Sequence, residues 1–331
     1  MKNATAVLGA GAWGTALAIQ LARGGHPVAL WGHRAEHVTA LSRDGENRRY
    51  LPGAALPSGL TPTADLADAL RGAEYVLVAV PSGAFTETLA AAARHGDAPI
   101  FWATKGLDPE TGRPLHERAE GILGHARGLG VLSGPSFARE VARGLPTAVT
   151  IAATERRLAR RFAGLLHGPT FRAYVSTDLA GVELGGAAKN VIAIAAGIAD
   201  GLGLGANARA GLITRGLAEL RRLGNALGAR PATITGLSGL GDLVLTATDD
   251  QSRNRRFGLA LGRGTALDEA RATIGGAVEG IPAARALTRL ARSLGVEMPI
   301  SEQVRSVLDG EHSPREAVEN LMARAMKSEH L

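Results

Sequence analysis

The stretch that most constrains this chain is Gly9-Ala10-Gly11-Ala12-Trp13-Gly14. An apolar run, residues 4–8, precedes it with strand character. Residues 15–23 follow it as a helix, stopped by Gly24-Gly25. A strand, a G-x-G-x-x-G turn and a helix in that order meet the requirements of a dinucleotide site. Gly9 allows the tight turn, Gly11 lets the backbone approach a pyrophosphate, and Gly14 lets helix pack closely on strand. The helix N-terminus offers free N–H groups and partial positive charge to phosphates. The chain holds 44 Gly, so a bland Gly-rich turn is the competing reading, and the βαβ setting argues against it.

The chain then alternates. Residues 26–32 read as the second strand, ending where an NAD site places an acid for the ribose 2′-hydroxyl. His33 and Arg34 stand there instead, which suits a 2′-phosphate or two solvated polar residues at a helix start. Residues 47–62 read as a Pro/Gly-rich loop whose Tyr50 either lines the adenosine end of the site or anchors the loop. A short helix follows at 64–70, then a buried strand at 74–80, a helix at 85–94 and a strand at 100–103. Lys105 sits just past that strand's carboxyl end, where open α/β sheets bind ligands; an ordinary loop lysine is the alternative. Residues 131–138 form another strand-to-helix junction. Gly134 there allows close approach, and Ser136 either caps the helix or meets a ligand. Strands at 147–153 and 170–175 flank an Arg-rich helix at 155–166. The expected class is α/β: a doubly wound parallel sheet of Rossmann type, followed by an all-α domain.

Strands stop after Asp178, which sets the expected domains at residues 1–177 and 178–331. Residues 179–199 should open the second domain as a helix through the interface. Lys189 lies in it among small and apolar residues, so it either snorkels from a buried helix or sits in a cleft. Burial would bring its pKa toward neutrality, as acid–base work requires. Residues 209–227 read as the next long helix. Residues 236–244 read as a tight turn carrying Asp242, which orients a cationic group, binds a hydroxyl, or caps a helix. Residues 251–258 hold Ser252, Arg253, Asn254, Arg255 and Arg256. That donor-rich run suits a phosphate, or is a solvated basic helix start. Ala277 and Glu279 lie in another glycine cluster, and helices at 282–294, 301–308 and 314–326 close the chain.

Composition narrows the partners. Lys plus Arg exceed Asp plus Glu, 37 to 31, yet no basic run interleaves with aromatics. Small anions therefore fit better than nucleic acid. With no Cys, disulfides, thiolate metal sites and Cys nucleophiles are excluded. Of the nine His, only His33 and His37 stand four apart, and no HExxH motif is present, so no metal is expected. The N-terminus enters the first strand directly, and the apolar run 191–199 is too short to span a bilayer. A cytoplasmic chain without stable membrane insertion is the expectation.

The stretches GAGAWGTALA, LWGHR, YLP, WATKGL, SGPSFA, GGAAKNVIAIAAG, GLGDLVLT, QSRNRRFG and VEG together resemble NAD(P)-dependent glycerol-3-phosphate dehydrogenases of the bacterial type. They occur in the family's order and span residues 9–280. The resemblance implies a Rossmann domain joined to a helical domain. It also implies interconversion of dihydroxyacetone phosphate and sn-glycerol 3-phosphate with NADP(H) or NAD(H), supplying phospholipid synthesis. By motif match Lys189 is the proton acceptor or donor. Lys105, Gly134, Ser136, Lys189, Asp242, Ser252, Arg253 and Asn254 hold the phosphorylated substrate. Gly9, Gly11, Ala12, Trp13, Gly14, His33, Arg34, Tyr50, Lys105, Ala138, Arg253, Ala277 and Glu279 contact the cofactor. Ala12 stands where the family often has Ser, so a side-chain phosphate contact is lost there and the backbone N–H remains. A homodimer is a further expectation. Two other readings stand beside this one. A related β-hydroxyacid or polyol-phosphate dehydrogenase would turn over small hydroxy acids. A non-catalytic NADP(H) sensor would have no need of both Lys105 and Lys189.

Overall fold

The computed structural model describes residues 5–326 and 328. The first strand β1 (Thr5–Leu8) is wholly buried and runs through the glycine turn into α1 (Ala12–Arg23). Then come β2 (Val28–Trp31), α2 (Ala35–Asp44), β3 (Leu60–Thr63), α3 (Leu66–Leu70), β4 (Tyr75–Val78), α4 (Ser82–Ala93) and β5 (Ile100–Trp102). The sheet continues with α5 (Leu115–Leu123), β6 (Leu129–Ser133), α6 (Ala138–Arg143), β7 (Thr147–Ala153), α7 (Arg156–Leu166) and β8 (Phe171–Ser176).

The eight strands form one sheet in the order β3-β2-β1-β4-β5-β6-β7-β8. The first six are parallel and give the doubly wound order, with its switch between β1 and β4. Their apolar side chains fill a core on each face, one around Val7, Leu30, Leu77 and Phe101, the other around Leu8, Val78, Trp102 and Val131. That two-sided burial explains the near-continuous apolar runs.

Three sequence expectations need correction here. The sheet is not parallel throughout: β7 runs antiparallel to β6, and β8 is parallel to β7. The six-residue α6 packs on α1 instead of forming a long crossover, and a parallel return needs a full one. The stretch read as loop, 47–62, runs into β3, an edge strand that tolerates Pro62 because its outer side has no partner strand. Ser136 does not cap a helix. Helix α6 starts only at Ala138, with no side-chain cap, and the Ser136 hydroxyl donates to the Gly134 carbonyl at 2.9 Å.

After β8 the chain is helical: α8 (Leu179–Gly201), α9 (Gly205–Ala226), α10 (Pro231–Ile234), a π-helical turn (Leu237–Gly241), α11 (Asp242–Thr248), α12 (Arg253–Gly262), α13 (Leu267–Thr273), α14 (Gly280–Ser293), α15 (Pro299–Leu308) and α16 (Pro314–Met322). Helix α8 is the axis of this half, with α9, α11, α12 and α14 packed around it. It is buried from Gly181 to Ala199. Full burial of each Val or Ile contributes roughly 1.5–3 kcal/mol, which is why a helix without a polar face is stable here. It is the one helix among the described residues long and apolar enough to cross a membrane, and its apolar window is wholly inside the protein.

Candidate active site

The glycine turn has the geometry its sequence requires. Gly9 takes φ +123°, and a Cβ there would lie 2.5 Å from the Ala79 carbonyl oxygen. A Cβ on Gly14 would lie 1.9 Å from the Gly9 carbonyl oxygen, whereas one on Gly11 would meet nothing within 4 Å. Gly9 and Gly14 thus close the helix onto the strands, and Gly11 borders open space. No side chain caps α1 and its first turn carries no acid, so its N–H groups are left to a phosphate. The half-buried Trp13 keeps an indole N–H without a partner. These features fit a dinucleotide.

Asn47 holds this turn from behind, a role the sequence reading missed. It is fully buried, and its Nδ2 donates to the Ala10 carbonyl at 3.1 Å and to Thr15 Oγ1 at 2.8 Å. Its Oδ1 accepts from the Tyr50 N–H at 3.2 Å. Tyr50 itself is exposed, edge-on to His37 at 5.1 Å, with the Arg49 guanidinium 5.2 Å from its ring centre. His33 and Arg34 are exposed at the end of β2. Arg34, His37, Arg48 and Arg49 line one cleft of about 290 Å³, with Glu36 and Asp44 at its wall.

The second cluster forms where the sheet meets α8. Lys105 follows β5, and its Nζ donates to the Gly134 carbonyl at 3.2 Å and to Asp242 Oδ2 at 2.6 Å. Lys189 is buried on α8, and its Nζ donates to Asp242 Oδ1 at 2.5 Å and to Thr246 Oγ1 at 3.1 Å. One buried carboxylate therefore holds two ammonium groups that lie 84 residues apart in sequence. Asp242 is not in the tight turn that the sequence led one to expect; it begins α11 directly after the π-helical turn, and that places its side chain between the lysines. The close approach of α8 rests on Gly185 and Gly186. A Cβ on the first would lie 2.2 Å from the Ser238 carbonyl oxygen, and one on the second 2.9 Å from Ser133 Oγ.

Burial pushes the Lys189 ammonium down to about 8; Asp242 opposes that shift and Lys105 adds to it. Loss of solvent also pushes the half-buried Glu279 carboxyl up, against the pull of Arg253, Lys189 and Lys105.

The basic run resolves residue by residue. Arg255 is committed to Asp200 at 2.6 Å and to Asp250, so the three arginines do not act together on one anion. Arg253 is exposed, with its guanidinium beside Gly276. Ser252 is buried and caps α12 by accepting the Arg255 N–H. Asn254 donates to Asn190 Oδ1 at 2.9 Å and accepts the Gly280 N–H at 2.9 Å, bracing α8, α12 and α14. Asn190, which sequence reasoning passed over, keeps a buried Nδ2 without a partner beside Lys189. The signal was there: a second polar residue in an apolar helix. Ala12 and Ala138 begin α1 and α6, and Ala277 is exposed in the loop before α14.

A doubly wound nucleotide sheet joined to a helical bundle, with two lysines on one carboxylate at the junction, defines a two-domain dinucleotide-dependent dehydrogenase architecture. Residues 4–159 match the NAD-dependent glycerol-3-phosphate dehydrogenase N-terminus and residues 178–319 match its C-terminus. The chain belongs to that family. A relative from Xanthomonas campestris pv. campestris (strain B100), named glycerol-3-phosphate dehydrogenase (NAD(P)+), is 56% identical over 98% of this chain and 96% of its own length. One from Stenotrophomonas maltophilia (strain R551-3), of the same name, is 55% identical over the same shares. The crystal structure of glycerol-3-phosphate dehydrogenase (gpsA) from Coxiella burnetii is 47% identical. It superposes with a TM-score of 0.94, covering 98% of this chain and 99% of that one.

Proposed function

We propose that this chain interconverts dihydroxyacetone phosphate and sn-glycerol 3-phosphate with NADP(H) or NAD(H), in the cytoplasm, supplying glycerol 3-phosphate for phospholipid synthesis. The observation that carries the reading is the buried Lys189–Asp242–Lys105 centre, which lies beside the carboxyl ends of the strands. Residues 1–177 hold most of the cofactor and residues 178–331 most of the substrate.

The first turn of α1, with Gly9, Gly11, Ala12, Trp13 and Gly14, takes the pyrophosphate. His33, Arg34 and Tyr50 take the adenosine end, and Lys105, Ala138, Arg253, Ala277 and Glu279 border the nicotinamide end. The nicotinamide supplies or accepts the hydride. Every other step belongs to the chain. In the reducing direction the substrate carbonyl oxygen gathers negative charge, and Lys189 Nζ gives it a proton. In the oxidising direction the neutral Lys189 amine takes the hydroxyl proton. A pKa of about 8 lets one group do both near neutral pH. Lys105 stabilises the developing charge on oxygen, and Asp242 aims both ammonium groups. Ser252, Arg253 and Asn254, with Gly134 and Ser136, hold the phosphate and hydroxyl ends, so binding far from the reacting carbon becomes orientation.

The test is NADPH oxidation with dihydroxyacetone phosphate by wild type and Lys189→Ala. Turnover by wild type, and a loss of about 10²–10⁴ in kcat with NADPH still bound by the variant, is the expected result. Wild type that binds NADPH yet ignores this substrate and accepts small hydroxy acids overturns the substrate assignment.

A further inference from the structure

Glu183 is a buried carboxylate, 4% exposed, with no part in the chemistry above. It lies on α8, six residues before Lys189. Its Oε1 accepts the Trp102 indole N–H at 2.8 Å. Its Oε2 accepts the His116 backbone N–H at 3.3 Å and meets His116 Nδ1 at 2.5 Å. The end of β5, the start of α5 and the interface helix thus converge on one side chain. Trp102 is wholly buried and edge-on to Phe85 at 5.7 Å, so its indole N–H has a fixed direction. Loss of solvent lowers the His116 pKa, but the hydrogen bond and charge of Glu183, with Glu117 and Glu120, leave it raised.

A buried ion pair of this kind is a poor source of stability. Its desolvation is costly, and packed apolar residues of the same volume hold a fold as well or better. Its location suggests another use. Lys105 follows Trp102 by three residues, and Lys189 follows Glu183 by six. We propose that Glu183 is a positioning residue: by tying the Trp102 indole and His116 to α8, it sets the separation of Lys105 and Lys189 from behind the site. This rests on the reaction proposed for those lysines. Asp242 joins them at the front, and Glu183 stops the strand and the helix sliding past one another. A misplacement of about 1 Å at a reacting group can cost on the order of 10²-fold in rate.

The test compares Glu183→Ala, Glu183→Gln and Trp102→Phe. Gln keeps an acceptor for the indole and an amide toward Nδ1; Phe keeps a packed ring and removes the indole N–H. Four quantities are measured on the full chain: kcat, KM for dihydroxyacetone phosphate, Kd for NADPH by fluorescence titration, and the thermal midpoint. In Glu183→Ala and Trp102→Phe, kcat should fall about 10- to 100-fold, with KM and Kd within about threefold of wild type. Glu183→Gln should return kcat to within about threefold. An unchanged kcat in a folded Glu183→Ala or Trp102→Phe overturns the proposal, whatever the midpoint does. So does a Gln variant as slow as the Ala variant. If Glu183→Ala does not fold, Trp102→Phe decides. Wild type inactive on this substrate overturns the reaction, and the positioning role with it.

Discussion

Asp242→Asn removes the negative charge that both lysines pair with directly. In the native site its oxygens lie 2.6 Å from Lys105 Nζ and 2.5 Å from Lys189 Nζ. Burial pushes Lys189 down to about 8 while Asp242 holds it up and Lys105 pushes it further down. An amide of the same shape leaves two ammonium groups facing each other. Losing an opposite charge at this range lowers a lysine pKa by about 1–3, so Lys189 falls further below its ordinary value. Near pH 7.5 a fall of about 1–3 from about 8 cuts the ammonium fraction by about 3- to 240-fold. Reduction of the ketone needs the ammonium form, so its kcat should fall by that factor. The pH at which the rate declines should move down by about 1–3. The assay is NADPH oxidation at saturating dihydroxyacetone phosphate across pH 5.5 to 9.5, with folding checked by circular dichroism, since breaking a buried pair costs about 3–5 kcal/mol. A folded variant whose rate declines at the same or a higher pH than wild type refutes the assignment of Asp242 as the charge that sets Lys189.

Gly14→Ala places a Cβ 1.9 Å from a backbone oxygen, so it should cost about 1–3 kcal/mol in denaturant unfolding and weaken NADPH at least tenfold. Gly11→Ala meets nothing within 4 Å; it should leave unfolding unchanged and weaken only the cofactor, and equal destabilisation by both changes refutes the geometry. Arg253→Ala should raise KM for dihydroxyacetone phosphate by about 10- to 150-fold, since hydrogen bonds to charged groups are worth about 1.5–3 kcal/mol, and an unchanged KM removes it from the phosphate. Burial pushes Glu219 up to about 7, against hydrogen bonds from the Ile300 and Ser301 N–H groups and the Ser301 hydroxyl. The folded chain therefore keeps a proton that the unfolded one releases above 4.5. The stability Glu219 contributes is full below about pH 4.5 and is lost as pH rises through about 7. Glu219→Gln should flatten the thermal midpoint across that window, and parallel curves for the two proteins count against it.

Much of the site was legible because its parts are local. The glycine turn reads from sequence because each glycine meets a requirement within its own strand, turn and helix. Lys105 reads because it directly follows a buried strand. Lys189 reads because a lysine among alanines and isoleucines has no solvated face to occupy. The parts that did not read depend on residues far away. Asn47 lies in a stretch that looks like loop, and its role appears only when its amide meets Ala10 and Thr15. Ser136 looks like a cap because capping is a local habit of serine, but the helix starts two residues later. The three arginines look like one anion clamp, and only the fold brings Asp200 against Arg255.

By itself the sequence determined that strands alternate with helices to Ser176, that helices follow, and that a nucleotide-binding turn opens the chain. Those properties come from side-chain period and glycine placement over a few residues. Tertiary structure alone decided the reversed direction of β7, the placement of Asp242 between two lysines, and the convergence of Trp102 and His116 on Glu183. Each of these joins groups separated by many residues or sets one element's direction against another. Such choices follow from how whole elements pack and how buried charges find partners, and no local pattern carries that information.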